Sequence, residues 1–168
     1  PERKLIAITL GANRAPIDAV RAIQNASSGS TGWTIAQYLH RMGHQVICIA
    51  GKTSVSSEFK LPDVRRAGSP DEMLKVSLEV ASSEPKPDAW IHSAAVLDYF
   101  TEPLDVKKSS GEGPWEISLS EGPKHISEIA PFVDGAKRIG FKLESGVSAD
   151  VLIDRAKQQI HTYGVDAV

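Results

Sequence analysis

The sequence predicts an α/β domain, doubly wound around a mostly parallel sheet. Short apolar runs of strand length recur near residues 5–10, 45–50, 89–96 and 138–143, and near-continuous apolarity is what a strand buried on both faces needs. Segments with helical spacing and recognisable start and stop residues lie between them, and strands alternating with helices require parallel crossovers. Polar segments follow the strand ends at Gly11, Ala94 and Phe141. They are therefore expected to converge on the strand C-terminal edge, where such sheets bind ligands.

The first strand is expected over residues 4–10. Residues 11–32 link it to a helix at 31–42 and hold glycines, hydroxyls and an asparagine, with few apolar side chains. A polar link from a buried strand to a helix exposes backbone N–H groups at the helix N-terminus, which favours anions. The same composition also suits a long loop with turn residues. It is neither a dinucleotide fingerprint nor a Walker loop, because Gly11 has no glycine two residues on and no Gly-Lys-Ser/Thr follows.

Gly43 stops the first helix, and residues 45–50 form the second strand. Residues 51–57 are a polar loop without a motif, and residues 64–67 are an edge-strand candidate. Ser69, Pro70 and Glu72 place a cap, a first-turn proline and a capping-box glutamate in register. Met73, Val76 and Val80, widened by Leu74, Leu78 and Ala81, give that helix its apolar stripe. Pro85 and Pro87 break it, and residues 89–96 form a buried strand running into 97–100.

Residues 101–114 carry no apolar periodicity and are expected to form a mobile surface loop. Residues 115–119 alternate like a half-exposed strand. Pro123 opens a short helix that stops before Pro131, and residues 138–143 form the next strand. Ser148 caps a helix through Tyr163, with Val151, Leu152, Ala156 and Ile160 on its buried face. Residues 164–168 begin a further strand. The alternation makes the fold Rossmann-like, and 168 residues suit a single domain.

Composition narrows the function. A formal net charge of -2 gives no electrostatic case for nucleic acid or an anionic membrane. The one cysteine, Cys48, lies in an apolar run and reads as a buried strand residue rather than a nucleophile. Without an internal disulfide, a reducing cytoplasm is the default. No run approaches membrane-spanning length and the first residues lack an apolar signal core, so a soluble cytoplasmic domain is expected.

Three separated segments resemble one family. Residues 11–29 match a Gly-Gly-Thr-Arg-Glu-Pro-Ile-Asp-x-Val-Arg-x-Ile-x-Asn-x-Ser-Ser-Gly pattern. Residues 93–99 match an Ala-Ala-Val-x-Asp-Tyr segment, and residues 139–144 match a Gly-Phe-x-x-Glu strand. The family is phosphopantothenoylcysteine synthetase, the phosphopantothenate–cysteine ligase of coenzyme A biosynthesis, found alone or fused to the decarboxylase that follows it. The order and spacing fit across nearly the whole chain.

The resemblance implies a two-step reaction. The carboxylate of 4'-phosphopantothenate attacks the α-phosphate of CTP (ATP is the alternative), releasing pyrophosphate, and the L-cysteine amine then attacks the acyl-nucleotide. It implies Mg²⁺ to neutralise the triphosphate, with Asp98 beside the ion, and a homodimer that completes the site across its interface. Asn25 matches the asparagine that contacts the acyl intermediate, although a turn or cap residue would look the same. Gly11, Ser27, Ser28 and Gly29 match the polar phosphate-side loop, and Ser93 and Ala94 the backbone contacts to the nucleotide. Asp98 matches the nucleotide-site aspartate, or else caps the following loop. Lys107 matches the flap lysine that closes over the triphosphate, with Lys108 the fallback and a solvated lysine pair the plain alternative. Pro123, Lys124, His125 and Ile126 resemble a segment near the ligand. Phe141 falls where the family places an aromatic by the base, and an ordinary core phenylalanine fits equally.

The chain departs from the pattern at Ala12, Asn13 and Ala15. Gln159 and Tyr163 stand where bacterial members carry two lysines, which leaves the choice of nucleotide open. The family's next segment is absent, so the C-terminal part of the family domain is expected to be missing. A short-chain-type oxidoreductase binding NAD(P) would share the topology, but it needs a Tyr-x-x-x-Lys pair. The residues four after Tyr38, Tyr99 and Tyr163 are Met42, Pro103 and Ala167. A homologue that binds nucleotide without turnover is the third reading.

Overall fold

The computed structural model describes residues 2–168. In chain order the elements are β1 (Leu5–Leu10), β2 (Arg14–Pro16), β3 (Ala22–Gln24), α1 (Ser30–Arg41), β4 (Gln45–Ala50), β5 (Asp63–Arg66), α2 (Pro70–Ala81), β6 (Ala89–His92), β7 (Tyr99–Phe100), β8 (Ser120–Glu121), α3 (His125–Glu128), a 3₁₀ turn at Ala130–Phe132, β9 (Lys137–Ile139) and α4 (Ala149–Tyr163). Five strands form one parallel sheet in the order β5-β4-β1-β6-β9. Counted along the chain its strands lie third, second, first, fourth, fifth, the Rossmann-like order with its crevice between β1 and β6. A parallel bridge from Ile139 to Ala167 starts the further strand expected at the C-terminal end.

Side chains alternate between the two faces of the sheet, so each face builds its own core. Ile6, Ile8 and Leu10 of β1 pack with Trp33 and Ala36 of α1 on one side. Ala7, Ile49 and Trp90 pack with Met73 and Val80 of α2, and with Ile129, on the other. Burial contributes about 1.5–3 kcal/mol for each large apolar side chain, so the sheet centre is the rigid base of the molecule. The Ser69 capping box is present with Pro70 at the helix start. Cys48 is buried and its thiol is pushed up to about 12 by burial, which leaves it no nucleophilic role at neutral pH.

The sheet is shorter than the sequence predicts. β6 stops at His92 because the Thr9 carbonyl accepts both the Ser93 N–H and the Ser93 hydroxyl. The Ala94 N–H meets the Thr9 hydroxyl instead of a ladder carbonyl. With β6 gone, residues 141–143 have no strand to pair with, so β9 ends at Ile139 rather than at 143. Leu143 is left 93% exposed. The strand expected at 115–119 does not form; only Ser120–Glu121 pairs, with Tyr99–Phe100.

Helix α4 carries no buried residue, against the buried face expected for Val151, Leu152, Ala156 and Ile160. Val151 and Leu152 are 40% and 37% exposed. The helix is held by polar contacts near its end, where Arg138 donates to the Tyr163 carbonyl and Gln159 to that of Phe141.

The link after β1 is more ordered than a loop. Strands β2 and β3 form a small antiparallel ribbon, closed by a turn in which the Asp18 carboxylate accepts the N–H groups of Val20 and Arg21 at 2.9 and 2.7 Å. Residues 101–119 hold no regular element, but they are not loose. The Leu104 N–H donates to the Ile17 carbonyl, the Lys108 N–H to Asp18, and Arg21 twice to the Lys108 carbonyl. The Arg21 guanidinium also lies 5.4 Å from the centre of the Trp115 ring.

Candidate active site

A cleft of about 1200 Å³ opens at the C-terminal edge of the sheet. Its walls are residues 25–32, the Ser93–Val96 turn with Asp98, residues 123–126, residues 141–144 and one face of α4. The three segments that resemble the ligase family therefore meet in one place, as the strand-end argument predicts.

The first wall is a helix N-terminus. Gly29 caps α1 in the left-handed conformation at φ 82°, without a side-chain cap, and no acidic residue lies in the first turn. Ser28 accepts the Ser30 N–H, and both serines 27 and 28 face the cleft. Free N–H groups at the positive end of a 12-residue helix suit a phosphate. Gly32 lets that helix approach β1, because a Cβ there would lie 2.3 Å from the Leu10 Cβ. Gly11 does not line the cleft. It turns the chain behind it at φ +80°, where a Cβ would meet the Lys52 carbonyl oxygen at 2.7 Å.

Asn25 joins two walls. Its side-chain amide donates to the carbonyls of Ala95 and Val96, each at 3.1 Å, so it fixes the turn after β6 against the first loop. Ser93 and Ala94 line the cleft, but the Ser93 hydroxyl is spent on Thr9 at 2.7 Å.

Charge in the cleft is organised in two sets. The Asp98 carboxylate accepts from the Lys124 ammonium. Burial pushes the Lys124 ammonium down, and that carboxylate outweighs it, leaving its pKa raised. Glu144, 16% exposed, pairs with Lys142 at 3.0 Å and with Arg155 of α4. Its carboxyl is held below the ordinary range by the Lys142 hydrogen bond first. The first set is neutral and the second carries one net positive charge. Among the described residues no group of three His, Cys, Asp or Glu side chains is placed to hold a metal. The two cleft carboxylates, Asp98 and Glu144, are each paired with cationic side chains, so a cation here would take Asp98 at most and otherwise the ligand's own oxygens and water. That donor set fits Mg²⁺, which keeps most of its waters.

Opposite the α1 side, the floor is uncharged. His92 stacks on Trp90 with ring centres 6.0 Å apart, and burial pushes its pKa down to about 3, helped by the nearby positive charge of Arg138 and by His125. Burial also lowers His125. His92 Nε2, His125 Nδ1 and Ser77 Oγ are buried without a hydrogen-bond partner among the described residues. Phe141 is 46% exposed and lines the cleft rim, so it is not the core residue that its sequence context also allowed. Pro123, Lys124 and Ile126 line the same wall as His125.

Lys107 is exposed and outside the cleft lining, whereas Lys108 is held by its backbone and pairs with Glu112. The sequence reading missed Ser77, His92, Glu144 and Arg155 as cleft residues. Ser77 was legible as a polar residue inside the apolar stripe of α2, and His92 as a polar residue inside a buried strand.

A family model described as the DNA/pantothenate metabolism flavoprotein C-terminal domain matches residues 2–168. The chain is 36% identical over 168 residues to the coenzyme A biosynthesis bifunctional protein CoaBC of Thermococcus kodakarensis, covering 99% of this chain and 41% of that protein. It thus spans about two fifths of the length of that curated relative. The DNA/pantothenate metabolism flavoprotein of Streptococcus pneumoniae superposes with a TM-score of 0.86 at 26% identity, over 97% of this chain and 80% of that one. The C-terminal domain of a CoaBC protein gives 0.79 at 25% identity, over 97% and 74%. With the whole described chain matched, the protein belongs to the family of the DNA/pantothenate metabolism flavoprotein C-terminal domain.

Proposed function

We propose that this chain is a phosphopantothenate–cysteine ligase domain that activates 4'-phosphopantothenate with a nucleoside triphosphate, CTP or ATP, and passes the acyl group to L-cysteine. The observation that carries the reading is the meeting of the three resembling segments in one cleft, with an uncapped helix N-terminus on one wall and an uncharged floor opposite. Relatives named for coenzyme A biosynthesis support it.

In the first step the substrate carboxylate attacks the α-phosphate and pyrophosphate leaves. The free N–H groups in the first turn of α1, with Ser27 and Ser28, hold phosphate oxygens while the reactants are brought together. Mg²⁺, when bound, offsets the triphosphate charge, with Asp98 the protein oxygen offered to it. Lys124, released from Asp98, then turns to the phosphates. In the second step the cysteine amine attacks the acyl carbon and the nucleoside monophosphate departs. Asn25, which fixes the Ala95–Val96 turn, sits where it positions that carbonyl. Lys107 swings in from the 101–119 segment as a compact charge. Closure also excludes water, the competing nucleophile.

A homodimer belongs to the same proposal. Exposed Val151, Leu152 and Ile153 on α4, with exposed Leu143 of the cleft lining, give a second copy apolar surface to cover, and sedimentation at micromolar concentration tests it. No described helix is long and apolar enough to cross a membrane, in keeping with a cytoplasmic enzyme. The deciding experiment is pyrophosphate release with phosphopantothenate, cysteine, Mg²⁺ and each of the four nucleotides in turn. Release with CTP or ATP that requires phosphopantothenate is expected; none with any nucleotide overturns the reading.

A further inference from the structure

Arg138 puts a cation on a strand face where the core takes apolar side chains. It stands opposite Trp90 in the pairing of β6 with β9, so it points to the α2 face of the sheet, and it is 7% exposed. No carboxylate among the described residues pairs with its guanidinium. Asp166 accepts the Arg138 backbone N–H at 2.8 Å and gives its other oxygen to the Lys137 ammonium. Burial presses the Arg138 pKa down, and the Asp166 charge offsets only part of that. A buried charge is costly unless its donors are used.

The donors reach two main-chain carbonyls. Nη1 donates to the Tyr163 carbonyl at 2.9 Å and Nη2 to the Ile126 carbonyl, while Nε is buried without a partner. Tyr163 is the last residue of α4, and Ile126 lies in α3. Both line the cleft, and Arg138 does not. One planar fork, rigid by its chemistry, therefore grips two walls from behind.

Helix α4 needs such a grip. None of its residues is buried, so no core contact sets its distance from the sheet. Its last carbonyls form the negative end of the helix dipole, where a cation is favoured. Its other ties are the long contact from Gln159 to the Phe141 carbonyl, 3.5 Å, and the pairing of half-exposed Arg155 with Glu144.

We propose that Arg138 is a positioning residue for the cleft: its guanidinium fixes the spacing of α4 from the α3 wall, and with it the geometry in which ligands are held between them. It acts through the Ile126 and Tyr163 carbonyls, without touching a substrate. A methionine at this place on β9 would suit the core and leave both carbonyls without their donor. The inference rests on the ligase reading for the reaction that measures it, and it adds a residue outside the resembling segments.

Turnover and amide hydrogen exchange of the wild type, Arg138→Met and Arg138→Lys test it. Arg138→Met keeps the stem and loses the fork, and turnover should fall about 10²-fold, the scale of a small misplacement of reacting groups. Arg138→Lys keeps the charge without the fork and should recover part of that, to within roughly tenfold of the wild type. In Arg138→Met the amides of residues 149–163 and 125–128 should exchange faster while those of β1 and β4 keep their protection. Equal turnover in the wild type and Arg138→Met overturns the proposal. So does exchange that quickens in β1 and β4 as much as in α4, the mark of general destabilisation. Arg138→Lys decides by the same criteria if Arg138→Met does not fold. A wild type without turnover on any nucleotide overturns the ligase reading, and exchange then decides the clamp: faster exchange in both walls keeps it, and unchanged exchange overturns it.

Discussion

Two buried polar regions of the molecule, one around Asp18 and one on the cleft floor, are built in opposite ways. Around Asp18 every demand is met. Its side chain is 0% exposed, and it accepts from the N–H groups of Val20, Arg21 and Lys108 and from the Arg21 guanidinium. Burial pushes its carboxyl up, but those donors and the Arg21 charge outweigh it and hold it below the ordinary range. Around Ser77, His92 and His125 the demands are left open. A satisfied buried network fixes one arrangement of the chain, and an unsatisfied one waits for something to complete it. The Asp18 network thus ties residues 101–119 to the first loop, whereas the floor leaves its polar atoms open to the cleft.

The sharpest test of that division uses the two neighbouring lysines of the tied segment. Lys108 is held through its backbone, so its side chain is free to be lost; Lys107 points to solvent one residue before the tie. Lys107→Ala should lower turnover about 10²–10³-fold, the typical cost of one well-placed electrostatic donor, with an unchanged melting temperature. Lys108→Ala should lose only the pair with Glu112. Steady-state turnover with calorimetric melting of both variants separates them, and a dead Lys108→Ala beside an active Lys107→Ala would transfer the role by one residue.

Asn25 links the architectural and chemical sides of the cleft, since its amide holds the Ala95 and Val96 carbonyls. On the ligase proposal, Asn25→Asp would place negative charge beside the acyl-nucleotide and oppose the oxyanion that forms as cysteine attacks. Amide formation should fall more than phosphopantothenate-dependent pyrophosphate release, by tenfold or more. Equal losses in both half-reactions would make Asn25 a purely structural clasp.

Breaking the satisfied network directly should have a smaller effect on rate and a clear one on order. Asp18→Ala removes the acceptor for three backbone N–H groups and leaves Arg21 without its partner. The melting temperature should drop by several degrees, and proteolysis near residues 101–119 should accelerate. Turnover should fall only a few-fold if Lys107 still reaches the nucleotide. Unchanged proteolysis would mean that the tie does not order the segment.

The sequence announced the parts that depend on local chemistry. The capping box at Ser69, the stop at Gly43 and the apolar run of β1 are each readable from a few neighbours, and the structure has all three. What could not be read depends on distant partners. The end of β6 is set by the Thr9 carbonyl, and the exposure of α4 by how few of the described residues pack against it. The order in residues 101–119 comes from Asp18, ninety residues away in the chain. The site shows the same split. The motif stretches put Asn25, Ser27 and Gly29 on one wall, whereas Ser77 stands out in the sequence only as a polar residue in an apolar stripe, and the fold alone turns it toward the cleft. Gly11 erred the other way. Its place in the motif suggested a ligand contact, and its φ of +80° against the Lys52 carbonyl shows a turn instead.

The mildest test sharpens the unsatisfied half of the comparison through pH. Burial holds the folded-state pKa of His92 at about 3, whereas an unfolded histidine titrates near 6.5. Above pH 6.5 neither state carries the proton and the residue adds no pH dependence. As pH falls below 6.5 the unfolded chain binds a proton that the folded chain refuses, so stability declines with a slope of up to about 1.4 kcal/mol per pH unit until the folded pKa is reached. Between pH 6.5 and 5, before the carboxylates contribute strongly, His92 alone should cost about 2 kcal/mol, or roughly 4–8 °C in melting temperature for a chain of this size. His125, lowered in the same direction, steepens the decline. His92→Phe should flatten it without touching the Asp18 network. Melting curves of both proteins at half-unit steps from pH 7 to 5 measure the effect. A His92→Phe slope equal to that of the wild type would mean that the His92 ring is not kept neutral by burial.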